Sequence, residues 1–216
     1  MRRYTRLAGT ALIAAGALVL VWTLVVWRWQ DPFTALYTTW EQRGLATQLQ
    51  HEMRAYRPTR NLASERTTLA DDARRFQLNA VRGHAIGRIV IGRIGLNMVV
   101  VDGADHESLK KGPGLDTSTY MPGEHRLVYI VGHRTTYLAP FAHIDAIKPG
   151  DYVRLEMPYG TFVYRVYAHR IVTANDLSVL HSPKHELLEL QACHPRFFAT
   201  HRYIVYARLK AEIPRS

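Results

Sequence analysis

A single cysteine, Cys193, stands in the chain of 216 residues, at the end of the run LLELQAC. A thiol is a strong nucleophile only as its thiolate, which forms where a cationic or proton-accepting group lies close by. Arg202 opens the next apolar run, RYIVYARL. If the two runs are successive antiparallel strands joined by residues 194–201, the hairpin sets Cys193 and Arg202 side by side at one rim. A guanidinium there offers a planar, permanently charged fork suited to an oxyanion developing on an acyl carbon. Among 11 histidines, placement selects His133 as acid/base partner. It follows the strand-like RLVYIV and a glycine, so it sits where a strand gives way to a loop, the usual position of functional groups on a rigid scaffold. Each residue also has a plain structural reading: Cys193 as a small buried residue, Arg202 as a solvated charge, His133 as a loop histidine. His181 and His185 in HSPKH have the i, i+4 spacing of helical metal ligands, but Pro183 between them disfavours that helix. The sequence predicts no metal site and no cofactor.

Such a constellation needs strands to hold it. From Gly83 onward IGRIVIG, NMVVVDG, RLVYIVG, DYVRLEM, TFVYRVYAHRIV, LLELQAC and RYIVYARL are rich in β-branched and aromatic residues. GPGLD, MPGE, KPGD and MPYGT separate them at the short spacing of an antiparallel sheet closed into a barrel or packed as a sandwich. Residues 83–216 are therefore expected to form one mainly β domain. A short helix around residues 138–147 fits APFAHIDAI, with Phe141, Ile144 and Ile147 on one face.

From Leu7 to Trp27 the sequence LAGTALIAAGALVLVWTLVVW carries no charge, close to the ~20 apolar residues that a membrane-crossing helix needs. Arg2, Arg3 and Arg6 precede it and favour a cytoplasmic N-terminus, while Trp22, Trp27 and Trp29 suit the far interface, so the remainder is expected to face outward. A cleaved signal peptide is the competing reading; the run is long for one, and no small-x-small site follows Trp27 before Arg28. Residues 31–82, with patches such as WEQRGLATQLQHEMRAY and an interruption at Pro58, read as a stalk of one or two helices or as a disordered linker, because the apolar stripe is thin. Neither version assigns chemistry to this segment. The expected division is an anchor at 1–30, a stalk at 31–82 and a catalytic domain at 83–216. The formal charge of +10 divides into +4 before Asp31, +2 up to Arg82 and +4 beyond. So even a spread argues against a nucleic-acid-binding arm and fits an exported domain facing anionic headgroups and wall polymers.

In this order the motifs IGRIVIGRIGLNMVVVDG, KKGPGLDTSTYMPGE, VGHRTTYLAPF, IDAIKPGDYVRLE, FVYRVYAHRIV, the D-x-x-V-L of Asp176 to Leu180 and LELQACHPRFFATHRYIVYARL resemble the sortases. Among these they are most like the class E group of high-GC Gram-positive bacteria. The resemblance implies a closed β-barrel of about eight strands with short helices, behind a transmembrane anchor and a partly helical stalk. It implies Cys193 as nucleophile, His133 as acid/base and Arg202 as oxyanion stabiliser. The implied reaction is attack on the Thr–Gly bond of a C-terminal sorting signal of LAxTG or LPxTG type on a secreted surface protein. A thioacyl enzyme is then captured by a cell-wall precursor amine, of the lipid II type. Three departures from the family pattern stand out: Gln191 and Ala192 precede Cys193 where relatives carry Thr, Leu138 replaces a frequent Gly, and HRLVY follows PGE where Gly-Asn is common. Substrate contacts are expected from Thr135, Thr136, Tyr137, Ala192 and His194, and from the segment Asn175 to His185. Two other functions stay open. An L,D-transpeptidase-like peptidoglycan enzyme has a signature resembling S-H-G-C-x-R, which ACHPRF does not fit. A non-catalytic wall-binding module would bury Cys193.

Overall fold

The runs from Gly83 onward alternate, and in three dimensions every second residue turns inward. The computed structural model describes residues 2–29, 32–57 and 65–215; the break expected at Pro58 lies outside them, as do the side chains of Trp27 and Trp29. Eight strands among these residues close a barrel: β1 (Ala85–Ile91), β2 (Leu96–Asp102), β3 (Gly114–Leu115), β4 (Leu127–Val131), β5 (Tyr152–Met157), β6 (Gly160–Thr173), β7 (Leu187–His194) and β8 (His201–Pro214). Around the barrel the order is β1-β2-β3-β4-β7-β8-β6-β5. Ile89, Val100, Ile130, Val153, Phe162, Tyr164, Leu188, Leu190 and Val205 fill the interior. Each such side chain contributes about 1.5–3 kcal/mol by leaving water. The short turns predict antiparallel joins, and most are; β2–β3 and β4–β7 are parallel. A parallel neighbour needs a long crossover, and residues 132–186 supply it between β4 and β7.

α1 (Arg2–Trp29) contains a stretch, Arg3–Val25, that is long and apolar enough to cross a membrane, with mean hydropathy 2.1 and its side chains exposed. α2 (Pro32–Ala55) and α3 (Glu65–Asn79) follow. Both pack on the barrel. Leu45 and Leu49 of α2 cluster with Ala85, Val99 and Val101 on the outside of β1 and β2, and Leu69 and Ala73 of α3 join the main core. α4 (His106–Lys111) is N-capped by Asp105, whose carboxylate accepts from the backbone N–H of Glu107 and Ser108.

The helix expected around residues 138–147 is reduced to a 3-10 turn at Ile144–Ala146. Tyr137, Leu138 and Ala139 have φ of 54°, 58° and 39°, a left-handed run that no right-handed helix can include, and Pro140 follows it. The apolar face of that segment is nevertheless buried, with Phe141, Ile144 and Ile147 each no more than 1% exposed. Gly132, just before His133, has no room for a side chain. A Cβ there would lie 2.6 Å from the Phe141 ring and 3.1 Å from Pro140.

Candidate active site

Parallel neighbours end at the same rim, and antiparallel neighbours begin where the other ends. β4 and β7 are parallel, so their C-terminal ends lie together, and the start of β8 joins them. Val131 is level with Gln191. The N–H of Gly132 extends that ladder by donating to the Gln191 carbonyl at 3.0 Å, and His133 is the next residue. Cys193 is level with Arg202. With strands ~4.8 Å apart, Cys193 is flanked by the His133 loop on one side and Arg202 on the other. Val128, Ile130, Leu188, Leu190, Ala192, Tyr203 and Val205 point into the core. By alternation Gln191, Cys193 and Arg202 face outward, and so does His133.

The cysteine is a free, half-buried thiol. The His133 ring stacks obliquely against Tyr137 at 5.2 Å, and its Nε2 is buried with no hydrogen-bond partner among the described residues. Burial, helped by the nearby His106, holds this imidazole below its ordinary value, because a charged ring is costly away from water. The neutral form of the ring is thereby favoured. The Nη1 of Arg202 donates to the carbonyls of Ala199 and His201 at 2.9 and 3.0 Å, which holds the guanidinium against the β7–β8 turn.

The expected substrate contacts separate into two groups. Thr135, Thr136 and Tyr137 follow His133 in its loop and are partly exposed. The carbonyl of Thr136 accepts from Ala139 N–H at 2.8 Å. Ala192 faces the other way; it is 1% exposed and packs in the barrel core, as strand alternation requires of a residue next to an outward-facing Cys193. Its side chain therefore lines no surface groove. His194 turns to the same inner side at the rim, with its Nδ1 2.8 Å from Arg134 Nη1 and its ring 5.9 Å from that of Tyr203. Within the segment Asn175 to His185, a 3-10 turn at Leu177–Leu180 is capped by Asp176. Val179 and Leu180 pack on Leu127, Tyr129, Val172, Leu187 and Ile204, on the outer face of the strands. The segment roofs the strand surface that leads away from Cys193.

Two residues absent from the expected set lie in this region. Arg134 is only 3% exposed. It pairs with Asp145 at 2.6 Å, donates to the Cys193 carbonyl at 3.4 Å and lies 5.9 Å over the Tyr203 ring. It thereby ties the His133 loop, the 3-10 turn and the end of β7 together. It stands beside His133 in VGHRTTY, but no local pattern separates it from a surface charge. Glu189 is level with Tyr129 and Tyr206, on the same strand face as Cys193. It is 3% exposed, its Oε2 has no partner among the described residues, and burial pushes its carboxyl up to about 8. Between it and Cys193, Gln191 accepts from the Tyr129 hydroxyl at 2.6 Å. The alternation of LLELQAC signals an outward Glu189, not its cover.

His125, Glu186 and Glu212 bring one ligand atom each within 4.8 Å of one another. The Glu186 carboxylate is already engaged by the N–H groups of Gly123 and His125, at 2.9 and 3.1 Å, and by the Tyr164 hydroxyl, so it fastens the β3–β4 loop to the barrel.

A sortase domain model matches residues 89–210, from β1 into β8. Sortase D of Bacillus subtilis (strain 168) is 34% identical over 131 residues, covering 58% of this chain. The chain spans 64% of that relative's length, under two thirds. Among solved structures, a Clostridium perfringens sortase D5 transpeptidase superposes with a TM-score of 0.65 over 79% of this chain and 99% of its own; at 23% identity it speaks for the fold. Sortase E from Streptomyces avermitilis superposes with a TM-score of 0.56 at 28% identity, over 62% of this chain and 93% of its own. A family model that covers more than half of the residues, on the barrel that these structures share, makes the chain a member of the sortase family.

Proposed function

We propose that this chain is a membrane-anchored cysteine transpeptidase that joins secreted surface proteins to the cell wall. The observation that carries the reading is the meeting at one rim of Cys193 with Arg202 level beside it and the His133 loop on its other flank. Cys193 passes its thiol proton to neutral His133, and the resulting thiolate attacks the carbonyl carbon of Thr in a C-terminal sorting signal of LAxTG or LPxTG type. The oxyanion that forms is met by the Arg202 guanidinium, a charge that needs no reorganisation during the step. As the C–N bond breaks, protonated His133 gives its proton to the departing Gly amine, leaving a thioester on Cys193. An amine of a wall precursor then loses a proton to neutral His133 and attacks the thioester, and the Cys193 thiolate leaves. The apparent pKa values of such a pair belong to the dyad. The motif order above favours a class E enzyme and an LAxTG-type signal, while the similar proteins include both D and E sortases. α1 is the anchor, with Arg2, Arg3 and Arg6 on the cytoplasmic side and the barrel outside.

The test is incubation of the full chain, in detergent, with LAxTG and LPxTG peptides and a small amine, followed by mass spectrometry beside Cys193→Ala. Acyl adduct on Cys193 and a Thr-linked amine product, both lost in the variant, are expected. No cleavage of any signal peptide, with Cys193 alkylated only after unfolding, would refute the reading and leave a wall-binding module.

A further inference from the structure

α2 is fastened to the barrel by polar groups on one helical face. Thr38 donates to the Lys110 carbonyl at 2.7 Å. The Gln42 side chain accepts from Val99 N–H at 2.8 Å and donates to the carbonyls of Val99 and Lys111 at 3.0 and 2.8 Å. Gln48 accepts from Ala85 N–H at 3.1 Å. Positions 34, 38, 42, 45 and 49 lie on one face at helical spacing, and Thr34, the first of them, reaches the active-site loop. Tyr137 N–H donates to Thr34 Oγ1 at 3.1 Å. The Tyr137 ring lies edge-on to Tyr37 at 6.5 Å and obliquely against His133 at 5.2 Å.

The loop needs that support. Three successive side-chain-bearing residues in left-handed conformation, Tyr137 to Ala139, persist only where their surroundings determine them. Leu138 packs on the main core and Thr34 holds the N–H of Tyr137. From these contacts we infer that α2 is a positioning element of the active site, with Thr34 and Tyr37 fixing the Tyr137 ring over His133. The inference rests on the transpeptidase reading for the role of His133. It also ties that histidine to the anchor, since α1 ends at Trp29 and α2 begins at Pro32.

Several charged and titratable groups among the described residues face this stack. His106 of α4 is a titratable neighbour of His133. Glu107 and Lys110 of α4, with Glu41 of α2, lie around Tyr37, and Lys110 also faces Tyr137. Arg134 adjoins His133 in sequence, and Cys193 approaches from β7. Loss of the Tyr137 cover admits water to the imidazole, and its titration then moves up toward that of an ordinary histidine.

The experiment uses the full chain in lipid nanodiscs, with ¹³Cε1-labelled histidine followed by NMR against pH, His133→Gln identifying the signal, and steady-state kinetics on a signal peptide and amine. Thr34→Val and Tyr37→Ala are each expected to raise the His133 midpoint and to lower kcat roughly three- to tenfold, a fraction of what general acid–base catalysis supplies, with little change in KM. Tyr37→Phe keeps the ring and is expected to rescue both readouts. Leu36→Ala, on the exposed face of α2, controls for effects of the helix itself. Unchanged His133 titration in both Thr34→Val and Tyr37→Ala, whatever their melting temperatures, overturns the inference. A rise in kcat overturns it as well, since α2 would then be an inhibitor. If the wild-type chain turns over no signal peptide, the transpeptidase reading fails, while the His133 titration still decides whether α2 controls its environment.

Discussion

Replacing Glu189 with Gln isolates the energetic consequence of a carboxyl buried on the strand face that carries Cys193. An ordinary glutamate titrates near ~4.3; burial without a partner for Oε2 pushes Glu189 up to about 8. Between those values the unfolded chain is ionised at this residue while the folded chain stays protonated. The folded state therefore binds more protons, and stability falls as pH rises through the window. At ~1.4 kcal/mol per pH unit the upper bound is about 5 kcal/mol, which local relaxation and water entry reduce to about 2–4 kcal/mol. For a chain of this size that is a fall of about 5–15 °C in Tm. Thermal unfolding of the full chain in non-ionic detergent, followed by circular dichroism from pH 5 to pH 9, is the assay. Glu186, raised to about 7 by burial, adds its own fall to both proteins and cancels in the difference. The variant is expected to melt only slightly above wild type at pH 5, with the gap widening to pH 9. Curves that stay parallel across the whole range would falsify the reasoning.

Gly132→Ala sets a Cβ against the Phe141 ring and is expected to lower stability by about 1–3 kcal/mol in urea unfolding, with reduced turnover because His133 is the next residue. Arg134→Met removes the pair with Asp145 and the bond to the Cys193 carbonyl; a loss of about 2–3 kcal/mol is expected, charge-assisted bonds being worth ~1.5–3 kcal/mol each, and Arg134→Lys should recover only part of it because an ammonium lacks the planar fork. Gln42→Leu leaves both backbone groups of buried Val99 without their partner, and a cost of about 2–3 kcal/mol is expected, visible as faster amide exchange at Val99. Arg202→Ala is expected to lower kcat by roughly 10²–10³ with little change in fold, as loss of an oxyanion donor does elsewhere, measured with the signal peptide that the wild-type chain prefers.

Local chemistry was enough to read much of this chain. The uncharged run in α1, the β-branched strands from Gly83 and the lone Cys193 each declare themselves by composition or period. So does the hairpin that pairs Cys193 with Arg202, because strand registry follows from sequence neighbours. The family followed from the order of short motifs. What local pattern leaves undecided is which faces become covered. α2 looks thin in apolar residues because its docking face adds only Leu45 and Leu49 to Thr34, Thr38, Gln42 and Gln48, polar groups that bond to backbone and interrupt the hydrophobic stripe. The expected helix at 138–147 gave way to a left-handed turn, since three successive positive φ angles followed by Pro140 break the helical path while Phe141, Ile144 and Ile147 are still buried. Ala192 was drawn to the site by its neighbour, yet strand alternation turns it inward. Arg134 and Glu189 read as ordinary surface charges in sequence. Only the closure of β4, β7 and β8 into one wall, with the segment after β6 laid over the face that carries Glu189 and Asp145 and Tyr203 set against Arg134, removes water from them.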